Sequence, residues 1–235
     1  MVDAAVLCPR GAADAERAGL VSLAEVIPDA ILDIRYYTAF NFVGERIDGY
    51  EAPAAYLTRA AADALRCVSD DLRAAGYRIK IFDAYRPTSA VAHFVRWAED
   101  LDAVGMKPYF YPGVDKADLF AKGYIAQKSS HSRGSTVDLT LVDAASGREV
   151  DMGCPFDYFG AISHIDSKEG LTPAQIENRR ILHRAMTKNG FLPLPEEWWH
   201  FTLADEPYPN TYFGFPVTAP RGTGARQSPA KEDML

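Results

Sequence analysis

Apolar and polar side chains alternate across residues 137–142, with Val137, Leu139 and Leu141 on one side and Asp138 and Thr140 on the other. A period of two predicts a β-strand. The same alternation recurs at residues 77–82, where Ile79 and Ile81 interleave with Arg78 and Lys80. Further strands are expected over residues 30–37, 124–128, 148–151 and 198–203. Helical spacing replaces alternation in residues 54–75, where Leu57, Ala61, Ala64, Leu65, Val68 and Leu72 share one face and Gly76 follows as a stop. A second helix is predicted after the turn fixed by Pro87, capped by Thr88 and running to about Val104. A third opens on the capping box Thr172-Pro173-Ala174-Gln175 and runs to Asn189-Gly190. Its buried face is Ile176, Leu182, Ala185 and Met186, which leaves His183 outside.

Helices and strands do not alternate regularly enough for a doubly wound sheet. The expected fold class is α+β, a single domain with a mostly antiparallel sheet flanked by helices. At 235 residues and 48% hydrophobic content, the chain is long enough for a full core. Residues 1–20 are expected to be a loose arm, residues 21–216 the domain, and residues 217–235 a disordered tail rich in Pro, Gly, Arg, Ser and Lys. Residues 41–49 and 153–157 read as loops. Residues 107–123 form an irregular aromatic segment, either a pocket wall or ordinary packing.

Charge and cysteine usage narrow the function. A net charge of −7 with no basic stripe argues against a nucleic-acid partner. No apolar run approaches the roughly 20 residues of a membrane span. Residues 1–20 lack the basic and apolar regions of a signal peptide. Cys8, Cys67 and Cys154 are odd in number and far apart, which suggests free thiols in a reducing compartment. These features together point to a cytoplasmic protein. The sequence leaves oligomeric state open, a homo-oligomer included.

The candidate chemistry is concentrated in two places. Ser129 to Asp138 sets a histidine and a carboxylate six residues apart, around an Arg133-Gly134 turn that can fold His131 back towards Asp138. Glu196-Glu197-Trp198-Trp199-His200 supplies a second histidine and a further carboxylate. His131, Asp138 and His200 would make a two-His, one-carboxylate zinc site with a position left for water, and Glu197 a general base beside it. In a strict strand Glu197 and His200 point to opposite faces, so this arrangement needs Glu197 on a bend after Pro195. Other uses of the same residues stay open: His131 as a turn cap, Asp138 paired with an arginine, Glu197 and His200 as an edge pair beside core tryptophans. Arg86 sits at a strand-to-helix turn, facing either a cleft or a surface ion pair. His93 reads as a packed or surface histidine, and His164 as exposed.

The runs Ser-Ser-His-Ser-Arg-Gly-Ser-Thr-Val-Asp-Leu-Thr-Leu and Glu-Trp-Trp-His resemble signatures of the zinc D-alanyl-D-alanine dipeptidases of peptidase family M15. Asn41-Phe42-Val43-Gly44, Asp48-Gly49-Tyr50, Tyr85-Arg86-Pro87, Met152-Gly153, Phe156-Asp157, Glu177-Asn178-Arg179-Arg180 and Asp205 to Asn210 are similar as well, in order, from about Val26 to Pro216. The resemblance implies the same α+β class and one Zn2+ per chain on His131, Asp138 and His200. It implies hydrolysis of D-alanyl-D-alanine, with Glu197 as base and Arg86 balancing the oxyanion. Asp157 would meet the substrate ammonium, Tyr36 would contact the amino end, Ser129 would help hold the dipeptide, and a small pocket would exclude longer peptides. The nearest rival is a D,D- or L,D-carboxypeptidase of peptidoglycan stems, which the missing signal peptide counts against. A binding module that has lost its chemistry would not need Glu197 and Arg86. Glycopeptide resistance and dipeptide salvage are both compatible with the sequence.

Overall fold

The computed structural model describes residues 12–220. In chain order it forms α1 (Ala12–Arg17), β1 (Leu20–Ser22), α2 (Leu23–Val26), β2 (Ile31–Leu32), β3 (Tyr56–Thr58), α3 (Arg59–Ala74), β4 (Tyr77–Asp83), α4 (Thr88–Glu99), α5 (Lys107–Phe110), β5 (Thr136–Asp143), α6 (Pro173–Lys188), β6 (Phe191–Leu194) and β7 (Glu197–Leu203). Five strands make the main sheet in the order β2-β4-β5-β7-β6, and β1 pairs with β3 in a small second sheet. In this sheet β2 pairs parallel with β4, and the other neighbours, β4 with β5, β5 with β7 and β7 with β6, pair antiparallel. The fold class is α+β, as the patterning predicts.

The alternating run becomes the central strand β5. Every residue from Thr136 to Val142 is buried, so both faces of the strand are covered. Val137, Leu139 and Leu141 join the apolar core, while Asp138 and Thr140 are buried on the opposite face. Helices α3 and α6 pack on the sheet and against each other. Ala61, Ala62, Leu65, Val68 and Leu72 of α3 face inward. Each fully buried Val or Leu there is worth about 1.5–3 kcal/mol. Helix α6 starts with the expected capping box, in which Thr172 and Gln175 satisfy each other's backbone N–H groups.

Several elements differ from the patterning, each for a local reason. Residues 30–37 hold only the two-residue β2; the chain then leaves the sheet and enters a 3-10 turn at Arg35–Tyr37 that buries Tyr36. The helix expected from residue 54 starts at Arg59, because Thr58 takes the N-cap and accepts the Ala61 N–H; Leu57 is therefore a strand residue. Pro87, not Thr88, is the N-cap of α4, and the helix stops at Glu99. Residues 124–128 form no strand, and the return after Asp143 is a single bridge between Val142 and Glu149. His164 is half-buried, not exposed. His93 is packed, its Nε2 against Glu45 and its Nδ1 accepting the Asp48 N–H.

The described part of the expected arm, from Ala12, forms α1 and leads into β1, and its Asp14 and Ala15 are buried. Residues 1–11, including Cys8, and residues 221–235 of the expected tail lie outside the described residues. Val217 is buried and stitched in: it donates to the Gly49 carbonyl and accepts from Glu51 and Ala52. Gly49 can only be glycine here. Its φ is +83°, and a Cβ would lie 2.7 Å from Pro87 Cγ.

Candidate metal site

Strand register builds most of the site. Asp138 of β5 lies directly opposite Asp83 of β4 on one side and His200 of β7 on the other. Paired residues on neighbouring strands share a face. An irregularity between Ile81 and Asp83 brings Asp83 onto the face that carries Asp138. The result is a row of three polar side chains across the middle of the sheet, all buried.

His131 joins this row from a 3-10 turn, Ser130–Arg133, whose N-cap Ser129 accepts the His131 N–H. The turn ends at Gly134, with φ +80°, where a Cβ would sit 3.3 Å from Leu20. This is the Arg-Gly reversal expected from the sequence. His131 Nδ1 lies 2.7 Å from the Ala84 carbonyl and donates to it, which leaves the Nε2 lone pair facing Asp138. A histidine held this way is oriented as a ligand.

Three ligand atoms then converge. His131 Nε2 is 3.2 Å from Asp138 Oδ2 and 3.3 Å from His200 Nδ1, and His200 Nδ1 is 3.1 Å from Asp138 Oδ1. Tetrahedral zinc with bonds of about 2.0–2.1 Å sets its ligand atoms about 3.3–3.4 Å apart. Asp138 Oδ1 is buried and accepts no well-formed hydrogen bond, an expensive state for a carboxylate oxygen without a cation. This is the one group of metal-binding side chains found among the described residues. The residues fit a divalent ion with one position left open.

Electrostatics prepares two of the three ligands. Burial alone would raise the Asp138 carboxyl, but the His131 and His200 imidazoles outweigh it and hold it well below the usual carboxylate range. Burial lowers His131, favouring the neutral form that binds metal. For His200 burial also acts downward, but the Asp138 carboxylate prevails and the imidazole is raised. His200 Nε2 faces Ser130 Oγ at 3.3 Å.

Glu197 Oε2 lies 3.4 Å from His200 Nδ1, so both face the centre. The bend this requires is present as a register irregularity between Pro193 and Leu194, where Leu194 pairs with Glu197 across a tight β6–β7 turn. Burial raises the Glu197 carboxyl. Arg86 is fixed from three directions: Nε donates to Asp83 at 2.9 Å, Nη2 is 3.5 Å from Asp138 Oδ2, and the guanidinium lies over the Tyr36 and Phe94 rings. Tyr36 donates from its hydroxyl to Asp157 Oδ2 at 2.8 Å. Burial, and then the Asp138 charge, push the Asp157 carboxyl well above its ordinary value.

Tyr36, Arg86, Ser129, His131, Asp138, Asp157, Glu197 and His200 all line one cavity of about 210 Å³. Its walls include Phe42, Phe94, Tyr124 and Phe159, with Tyr124 and Phe159 stacked at 4.9 Å. Of the aromatic segment 107–123, only Gly123 reaches it. Sequence reasoning missed Asp83, whose two oxygens take Arg86 Nε and the Tyr50 hydroxyl, at 2.9 and 2.6 Å. The signal available was an acidic residue three positions before Arg86 at a strand end. It also missed Ser130, which lines the cavity and faces His200 Nε2.

Residues 16–218 match the family model described as D-ala-D-ala dipeptidase, peptidase family M15. The chain is 44% identical over 200 residues to a D-alanyl-D-alanine dipeptidase of Enterococcus faecalis, covering 85% of this chain and 98% of that protein. It is 40% identical over 199 residues to one of Enterococcus faecium, again 85% and 98%. A third, from Streptomyces coelicolor, is 38% identical over 193 residues, covering 82% and 95%.

Proposed function

Since this chain belongs to the D-ala-D-ala dipeptidase family of M15 peptidases, we propose that it hydrolyses D-alanyl-D-alanine to two D-alanines with one zinc ion held by His131, Asp138 and His200. It is a peptidase whose substrate is a small dipeptide. The observation that carries the mechanism is the convergence of His131 Nε2, Asp138 and His200 Nδ1 at 3.1–3.3 Å, with Glu197 and Arg86 on the same cavity.

A zinc ion bound there supplies Lewis-acid chemistry, polarising a carbonyl and lowering the pKa of water from 15.7 to about 7. The protein's own groups do the rest. Glu197, beside the ligands without belonging to their set, takes the proton of the attacking water and passes it to the leaving amine. A carboxyl raised by burial is a stronger base than an ordinary one, and its protonated form is better held until the leaving amine takes the proton. Arg86 stabilises the negative charge that develops on the carbonyl oxygen. Asp83 and the two aromatic rings hold its guanidinium before substrate arrives, so no reorganisation is needed at that step. Asp157, oriented by the Tyr36 hydroxyl, receives the substrate ammonium, and Ser129 helps seat the dipeptide.

The size of the cavity supports a small substrate. Sites for drug-sized ligands run from about 300 Å³ upward, and a cavity near 210 Å³ suits a dipeptide better than a stem peptide. Cys67 and Cys154 are free thiols, in keeping with a reducing, cytoplasmic setting. No helix of the described residues is long and apolar enough to cross a membrane.

The test offers D-Ala-D-Ala, L-Ala-L-Ala, D-Ala-D-lactate and a murein pentapeptide side by side. Cleavage of D-Ala-D-Ala, with the other three essentially intact, is expected. Efficient release of terminal D-Ala from the pentapeptide would make the protein a carboxypeptidase instead.

A further inference from the structure

Arg179, in the second turn of α6, is 3% exposed, yet none of the ion pairs among the described residues includes it. The donors of its guanidinium are spent on one loop, while the guanidinium carbon lies 5.8 Å from the centre of the Trp198 ring. Nε donates to the Met152 carbonyl at 2.7 Å, Nη1 to those of Ile162 and His164 at 2.8 and 3.1 Å, and Nη2 to Cys154 Sγ at 3.3 Å. A buried cation that meets carbonyls, a thiol and one indole face, with no carboxylate in ion-pair contact, is costly compared with an apolar side chain of similar volume. What an apolar residue cannot do is tie together two chain segments with one rigid fork.

Those segments flank Asp157. Among the described residues Asp157 is the one non-glycine with a positive φ, +60°, a conformation that persists only when its surroundings over-determine it. Its carboxylate is buried and aimed into the cavity beside Tyr36. Residues 152 and 154 are pinned before it and 162 and 164 after it, all by the same guanidinium.

We infer that Arg179 is a positioning residue for substrate: by clamping both ends of the 152–164 loop it sets the place of the Asp157 carboxylate that receives the dipeptide ammonium. The inference rests on the ammonium role proposed above for Asp157. It predicts an effect on binding without one on the chemical step, because Arg179 touches neither the metal ligands nor Glu197.

The experiment measures kcat, KM and metal content for wild type, Arg179→Lys, Arg179→Gln, Asp157→Asn and the Asp157→Asn/Arg179→Lys double variant on D-Ala-D-Ala. Arg179→Lys keeps the charge and loses the fork; Arg179→Gln keeps two donors and removes the buried charge. In both, KM is expected to rise about tenfold, the lower end of what one charge-assisted hydrogen bond contributes, with kcat and metal content kept. The double variant should show little beyond the Asp157→Asn effect, because both changes act on one contact. A normal KM in both Arg179 variants while Asp157→Asn is impaired overturns the Arg179 inference alone. Fully additive effects, or loss of metal and kcat in both variants, also overturn it. A normal KM in Asp157→Asn overturns the ammonium role and this inference with it.

Discussion

Asp138 and Glu197 both reach His200 Nδ1, at 3.1 and 3.4 Å, and their surroundings push them apart. Asp138 lies buried between two imidazoles that keep it ionised; burial raises the half-buried Glu197. Two carboxylates driven in opposite directions are suited to different roles, one a ligand and one a base. Glu197→Ala is expected to retain metal while losing about 10² to 10⁴-fold in kcat, the usual contribution of a general acid–base. Asp138→Ala should lose the metal. Elemental analysis beside turnover checks both, and metal loss in Glu197→Ala with retention in Asp138→Ala would mean the two have exchanged roles. Arg86→Ala should keep metal and lose about 10² to 10³-fold in kcat, the effect of one oxyanion donor. A near-normal kcat would remove Arg86 from the mechanism.

At the scale of elements, the His131 turn depends on Gly134. A side chain there must adopt φ +80° and press on Leu20 at 3.3 Å. Gly134→Ala is expected to destabilise the fold by about 1–2 kcal/mol, the cost of a left-handed conformation with a Cβ. A urea or thermal melt reads this, and unchanged stability would contradict the account of the turn. Much at this scale was legible in the sequence: the alternation of β5 gives the faces of Asp138 and Val137, and Thr172 with Gln175 announces α6. Features set by pairing between distant strands were not. Whether Asp83 shares a face with Asp138 depends on the irregularity after Ile81, and whether Glu197 meets His200 depends on the one at Leu194. The start of α3 was misread because Leu57 suits a helical face as well as a strand, and only the Thr58 cap decides between them. The Arg179 contacts reach segments 15 to 27 residues away, three of the four through carbonyls, which carry no side-chain signature.

For the whole molecule, a metal held by His131 and His200 would tie two separate parts of the chain together, since His131 comes from a turn before β5 and His200 from β7. A ligand that binds only the folded state stabilises it by mass action, about 2.7 kcal/mol at a hundred times its dissociation constant. Melting temperature should therefore fall on chelation and recover when zinc returns. The most direct test of the central claim follows D-alanine release from D-Ala-D-Ala by the same preparation as isolated, after chelation, and during stepwise zinc addition, with His131→Ala carried in parallel. Activity should vanish on chelation, return in proportion to zinc and plateau near one ion per chain, while His131→Ala stays inactive throughout. Full turnover of the chelated, metal-free protein, or of His131→Ala, would contradict it.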